Sequence, residues 1–128
     1  MQRVLAEYAG AASVDRVALP GGAWWLAEAA TLSDGRLKRT LLRGHKPMRE
    51  LLQSVLGDGT AHCVLLLGHQ ECSWYRLRFP GASPGDLVRR IGADLFRARD
   101  ELIRWAPATV EVRGLVLLDG PAGTRRLF

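Results

Sequence analysis

Along the chain the spacing of hydrophobic and polar positions changes period several times, and each change marks an element. Val14–Leu19 reads as a strand, closed by a Pro20-Gly21-Gly22 turn. A second strand, Ala23–Thr31, leads through Ser33-Asp34-Gly35 into a third, Arg36–Leu42. Alternation along the second puts Trp24, Leu26, Glu28 and Ala30 on one face and Trp25, Ala27, Ala29 and Thr31 on the other. Asp34-Gly35 is a hairpin signal. With those two residues alone as the loop, Ser33 faces Arg36 and Ala30 faces Arg39. With one residue more, Leu32 faces Arg36 and Ala30 faces Lys38.

Further on the period becomes helical. Gly44-His45-Lys46-Pro47 breaks the sheet, and Pro47 suits the opening of a helix over Met48–Leu56, which Gly57-Asp58-Gly59 ends. Ala61–Leu67 is an unbroken apolar run and reads as a buried strand. In Cys72–Phe79, Trp74, Arg76 and Arg78 alternate with Tyr75, Leu77 and Phe79, which predicts a strand with one basic and one apolar face. Ser83-Pro84-Gly85-Asp86 signals the longest helix, Asp86–Trp105. Its apolar stripe is Leu87, Ile91, Leu95, Leu102 and Trp105. Arg89, Arg90, Arg97, Arg99 and Arg104 share the remaining surface with Asp94, Asp100 and Glu101. After Pro107, Val110–Leu118 is apolar enough for a central strand, and Gly120–Phe128 reads as a frayed basic tail. Met1–Ala12 suits a short helix or a first strand equally, and the abrupt opening leaves room for a missing upstream piece. The element order predicts one domain over residues 1–128: a single mixed sheet flanked by helices, in the α/β (α+β) class.

Composition narrows the function classes. The 128 residues are 48% hydrophobic, enough for a core. No apolar run approaches the roughly 20 residues that span a bilayer, and the N-terminus lacks the long apolar segment of a secretory signal. A cytoplasmic location and no membrane partner are the expectations. The formal charge of +5 favours polyanionic partners, nucleic acid first.

Two acidic residues stand in otherwise apolar strand sequence, Asp15 and Glu28. An unpaired carboxylate inside a sheet is costly, so each needs a partner, a metal or water. Arg16 could satisfy Asp15, and Arg39 or solvent could satisfy Glu28. A zinc reading of His62, Cys63, His69 and Cys72 meets an obstacle. His69-x-x-Cys72 has half-site spacing, but His62 and Cys63 point to opposite faces of a strand. Buried structural cysteines fit better, and a cytosolic setting argues against a Cys63–Cys72 disulfide. No Ser-His-Asp nucleophile pattern, phosphate-cradling glycine loop or dinucleotide fingerprint is present.

Val14-Asp15, Pro20-Gly21-Gly22, the strand Trp25-Leu26-Ala27-Glu28-Ala29 and the return Asp34-Gly35-Arg36-Leu37-Lys38-Arg39 together resemble the core of the PD-(D/E)XK nuclease superfamily, and within it the nuclease-related domain. The long helix followed by Val112–Leu118 is similar to that family's closing unit. The resemblance implies a restriction-endonuclease-like core and metal-dependent hydrolysis of DNA phosphodiesters. Asp15 and Glu28 would hold Mg²⁺ or Mn²⁺, and Arg39, Arg89, Arg90 and Arg97 would contact nucleic acid. Ala30 stands where the family carries its catalytic lysine. The lysine was removed deliberately, or its role has moved to Lys38 or else Arg39, or the domain binds without cutting. The competing expectation is a small non-enzymatic α/β interaction module, adaptor-like or secretion-chaperone-like, that binds a protein. The positive charge counts against it.

Overall fold

The computed structural model describes residues 24, 26, 27, 50–120 and 123–128. The expected elements over Met1–Ala12, Val14–Leu19 and Arg36–Leu42 lie outside these residues, as do Asp15, Glu28, Ala30, Lys38 and Arg39.

The described residues form a small mixed sheet with helices, an α+β arrangement. Residues 50–57 are helical (α1). The chain continues through β1 (Cys63–His69), α2 (Ser73–Arg78), α3 (Pro84–Trp105), β2 (Glu111–Leu117) and β3 (Thr124–Arg126). Strand order is β1-β2-β3. β1 and β2 run parallel, with Cys63 opposite Glu111 and His69 opposite Leu117, while β3 returns antiparallel with Leu115 opposite Arg126. The strand expected over Val110–Leu118 is therefore central among the described strands.

Helix α3 packs on β1 and β2 through Leu87, Ile91, Leu95, Ala98 and Leu102, all buried. Their spacing of three and four residues draws one apolar stripe along a 22-residue helix. Gly68 in β1 lies directly against the helix. A Cβ there would fall inside the Ile91 side chain, so the absence of a side chain sets the helix-to-sheet distance. The helix starts at Pro84, two residues before the sequence pattern placed it, because Ser83 is its N-cap. Ser83 Oγ accepts from the Asp86 backbone N–H at 3.2 Å, and the Asp86 carboxylate accepts in return from the Ser83 N–H at 3.4 Å.

Three expected elements differ. Trp24, Leu26 and Ala27, assigned to a strand over Ala23–Thr31, are helical. In a strand Leu26 and Ala27 would face opposite ways, yet both are buried, at 4% and 1% exposure. The Ala- and Leu-rich run around them has high helix propensity, which the alternation reading set aside. Cys72–Phe79, expected as a strand, holds α2 instead. Arg76 N–H donates to Cys72 O and Phe79 N–H to Tyr75 O, so Cys72, Tyr75 and Phe79 fall on one side. Leu77, which alternation would bury, is 82% exposed. Over so short a window periods of 2 and 3.6 fit almost equally well.

The C-terminal stretch, expected to fray, is part of the sheet. Gly120 and Gly123 take φ of +67° and +63°, a conformation that favours glycine and brings the chain back on itself. Leu118 N–H then donates to Gly123 O at 2.6 Å, Leu127 N–H to Gly114 O at 2.9 Å, and Gly114 N–H to Phe128 O at 3.2 Å. Leu127 and Phe128 pack against the core.

Candidate nucleic-acid interface

The second flank of α3 carries charge. Asp86, Arg89, Arg90, Ala93, Asp94 and Arg97 recur at intervals of three and four, so one surface strip holds them all over about 17 Å of helix axis. This strip is one wall of a cleft of about 830 Å³. The end of α2 and the turn after it, Arg78 to Ala82, line the cleft together with Trp24. Four arginines and two aspartates line this space.

The aspartates are tied into the scaffold. Asp86 closes the capping box and pairs with Arg89. Hydrogen bonds from Ser83 and from Arg89 hold its carboxyl below the usual carboxylate range. Asp94 is more deeply held. One oxygen accepts from the buried Tyr75 hydroxyl at 2.7 Å and the other from Arg97 at 3.0 Å, so a single carboxylate fastens α2 to α3 and fixes Arg97.

Two other arginines rest on rings. The Arg90 guanidinium lies 4.0 Å from the Phe79 ring centroid, and that of Arg78 lies 5.0 Å from Trp24 and 6.0 Å from Phe79. Such a contact holds the Arg90 cation in place without neutralising it. Arg90 is exposed and meets no carboxylate among the described residues. Ala93, between the charged positions, leaves room for a ligand to approach the helix.

The structure thus brings together Arg89, Arg90 and Arg97 of the expected nucleic-acid set. It adds Arg78, Phe79 and Trp24, which sequence reasoning treated as a strand's wet face and as core. The signal that could have found the strip is the run Asp-x-x-Arg-Arg-x-x-Ala-Asp-x-x-Arg itself. The two other helix arginines named above face elsewhere: Arg99 lies against Phe96 and Phe128, and Arg104 pairs with Glu101.

For the zinc reading, Cys63 and His69 stand at opposite ends of β1, and Cys72 is buried before α2. Both cysteines are free, and desolvation pushes the Cys63 thiol above its ordinary value. Among the described residues no group of three or more His, Cys, Asp or Glu is placed to hold a metal ion. No helix of the described residues is long and apolar enough to cross a membrane. No protein-family model, curated protein or solved structure matches this chain.

Proposed function

We propose that this domain binds nucleic acid, DNA being the expected form, by gripping backbone phosphates in the arginine cleft. The observation that carries the proposal is the α3 strip, where Arg89, Arg90 and Arg97 face one concave space with Arg78 opposite. Guanidinium groups suit phosphate oxygens through paired N–H bonds. A polyanion engaging them releases condensed counterions, so binding must weaken steeply as salt rises.

Fluorescence anisotropy with a labelled 20-base-pair duplex tests this between 50 and 200 mM NaCl. With three to four phosphates engaged, log K should fall with log salt at a slope of about −3. Arg89→Ala and Arg97→Ala should each reduce that slope by about 0.9 in magnitude. Failure of both this duplex and a single strand of the same length to bind at 50 mM, or affinity indifferent to salt, would overturn the proposal.

Cutting is a separable proposal that rests on the PD-(D/E)XK resemblance, with its restriction-endonuclease-like core and an Mg²⁺ or Mn²⁺ ion held by Asp15 and Glu28. That motif needs a strand running into Glu28, whereas Trp24, Leu26 and Ala27 are helical. Ala30 also lacks the cation the chemistry uses. Binding without hydrolysis is therefore the reading we favour. A plasmid-cleavage assay of the chain and of Ala30→Lys, with Mn²⁺, decides it: metal-dependent nicking by either would restore the nuclease reading, with Lys38 as the substitute cation for the unsubstituted chain.

A further inference from the structure

The cleft's cations are of two kinds, and the difference bears on the form of nucleic acid bound. Arg89 and Arg97 are each fixed end-on by a carboxylate, Asp86 and Asp94. Arg90, which meets no carboxylate among the described residues, instead has its guanidinium over the Phe79 ring, and the Arg78 guanidinium lies near the Trp24 ring. A guanidinium with a ring behind it is a braced, planar, charged platform. Its outward side can take the face of a nucleobase while its N–H edge reaches a phosphate. Tyr75 stacks behind Phe79 with centroids 6.4 Å apart and planes 27° apart, and Trp74 lies 4.9 Å from Trp24.

We propose that the cleft takes an unpaired, single-stranded segment of nucleic acid in preference to a duplex. Two observations converge on this. First, the space of about 830 Å³ is an open cleft, along whose floor a thin, flexible strand can lie. A duplex is convex and would present only its backbone to that floor. Second, a platform for base faces is useful only where bases are unstacked, since a duplex hides those faces within its stack. Arg90 is the central group, because it is exposed and, among the described residues, braced by Phe79 alone.

This inference rests on the nucleic-acid reading above, and its test separates the two. Anisotropy is measured at 100 mM NaCl with a labelled 15-residue oligothymidylate and a labelled 15-base-pair duplex, on the chain and on Arg90→Lys and Phe79→Leu. The single strand should bind at least tenfold more tightly. Arg90→Lys keeps the charge but loses the plane, and should weaken single-strand binding about five- to tenfold while leaving duplex binding within twofold. Phe79→Leu, which keeps an apolar side chain under Arg90, should act in the same direction. Equal affinity for both forms, or an equal loss for both on Arg90→Lys, overturns the single-strand preference and leaves phosphate binding standing. Failure of both probes to bind at 50 mM overturns both proposals.

Discussion

On one flank of α3, Arg90 lies over Phe79 and faces an open cleft; on the other, Arg99 lies over Phe96 and Phe128 under the C-terminal chain. Both make the same kind of contact with an aromatic ring, but what surrounds the contact differs. Arg99 has two rings against it, at 5.3 and 4.9 Å, its Nε is buried with no hydrogen-bond partner among the described residues, and its outer edge reaches Asp100 at 3.4 Å. Its faces pack into the fold while its charged end is already paired. Arg90 has one ring and solvent. A cation–π contact therefore says little about role until the other side of the guanidinium is known. A closed arginine supports structure, whereas an open one is available to a ligand.

The sharpest way to break this contrast is to remove a ring on the closed flank and the arginine itself on the open one. Phe128 fills the space over Gly114, whose missing side chain admits it, and meets Phe96 at 4.9 Å. Phe128→Ala should destabilise the domain by about 2–3 kcal/mol, toward the low end for a phenylalanine because the residue is only half-buried. Gly114→Ala should cost about 2 kcal/mol, since a Cβ would run into the Phe128 ring. In the double variant the two losses should sum to clearly less than the separate values, because the second change relieves the clash created by the first. Arg90→Ala on the open flank should stay within about 0.5 kcal/mol of the parent. Urea unfolding measures all four; a stability loss at Arg90 matching that at Phe128 would erase the distinction between the flanks.

How much of this was visible beforehand follows from how far each signal reaches along the chain. Helix α3 was legible because its apolar stripe repeats over 22 residues and a capping signal sits at its start. β1 and β2 were legible as dense apolar runs, with ends shifted by one or two residues. The short element at Ser73–Arg78 was not. Six residues cannot separate a period of 2 from one of 3.6, and what decides is that Tyr75 meets Asp94, nineteen positions away. β3 was hidden for a similar reason: Thr124-Arg125-Arg126 carries no apolar pattern of its own, and it is a strand because Gly114 leaves a slot that Phe128 fills. In the candidate site, Arg89, Arg90 and Arg97 could be named from helix spacing. Arg78 and Phe79 could not, because their place in the cleft depends on α2 being a helix.

The N-terminal end of the open flank is held by the capping box, and its removal should be felt less strongly. Ser83→Ala should cost about 1 kcal/mol near neutral pH. The sign of its pH dependence follows from Asp86, whose carboxyl sits below its ordinary value because Ser83 and Arg89 favour the charged form. A depressed folded-state value stabilises the fold above the unfolded value and stops doing so as pH falls through the folded one. The gap between parent and Ser83→Ala should thus be full at pH 6 and shrink below about pH 4. A gap that instead grew on acidification would remove Asp86 from the account.

Asp94→Asn separates the cleft's charge from its scaffold. Asparagine can still accept from the Tyr75 hydroxyl, but it no longer neutralises Arg97. Stability should fall by about 1 kcal/mol, the usual scale of one weakened hydrogen bond. Oligonucleotide affinity at 50 mM salt should rise by roughly threefold, since one negative charge leaves the wall, and the gain should fade as added salt screens it. Tighter unfolding resistance together with weaker binding would reverse both halves of the argument.

The smallest effect comes from the closed flank, with the opposite sign. Gly92 lies inside α3, and a Cβ there would meet only Leu127 Cδ1, at 3.8 Å, among the described residues. That is ordinary contact rather than a clash. Gly92→Ala should therefore remove the entropic cost of a mid-helix glycine and gain about 0.5–1 kcal/mol. The premise is that the C-terminal chain is already seated with a little space left over the helix. If urea unfolding shows Gly92→Ala to be destabilising, Leu127 sits closer than that gap allows, and the closed flank is as tight at Gly92 as it is at Gly114.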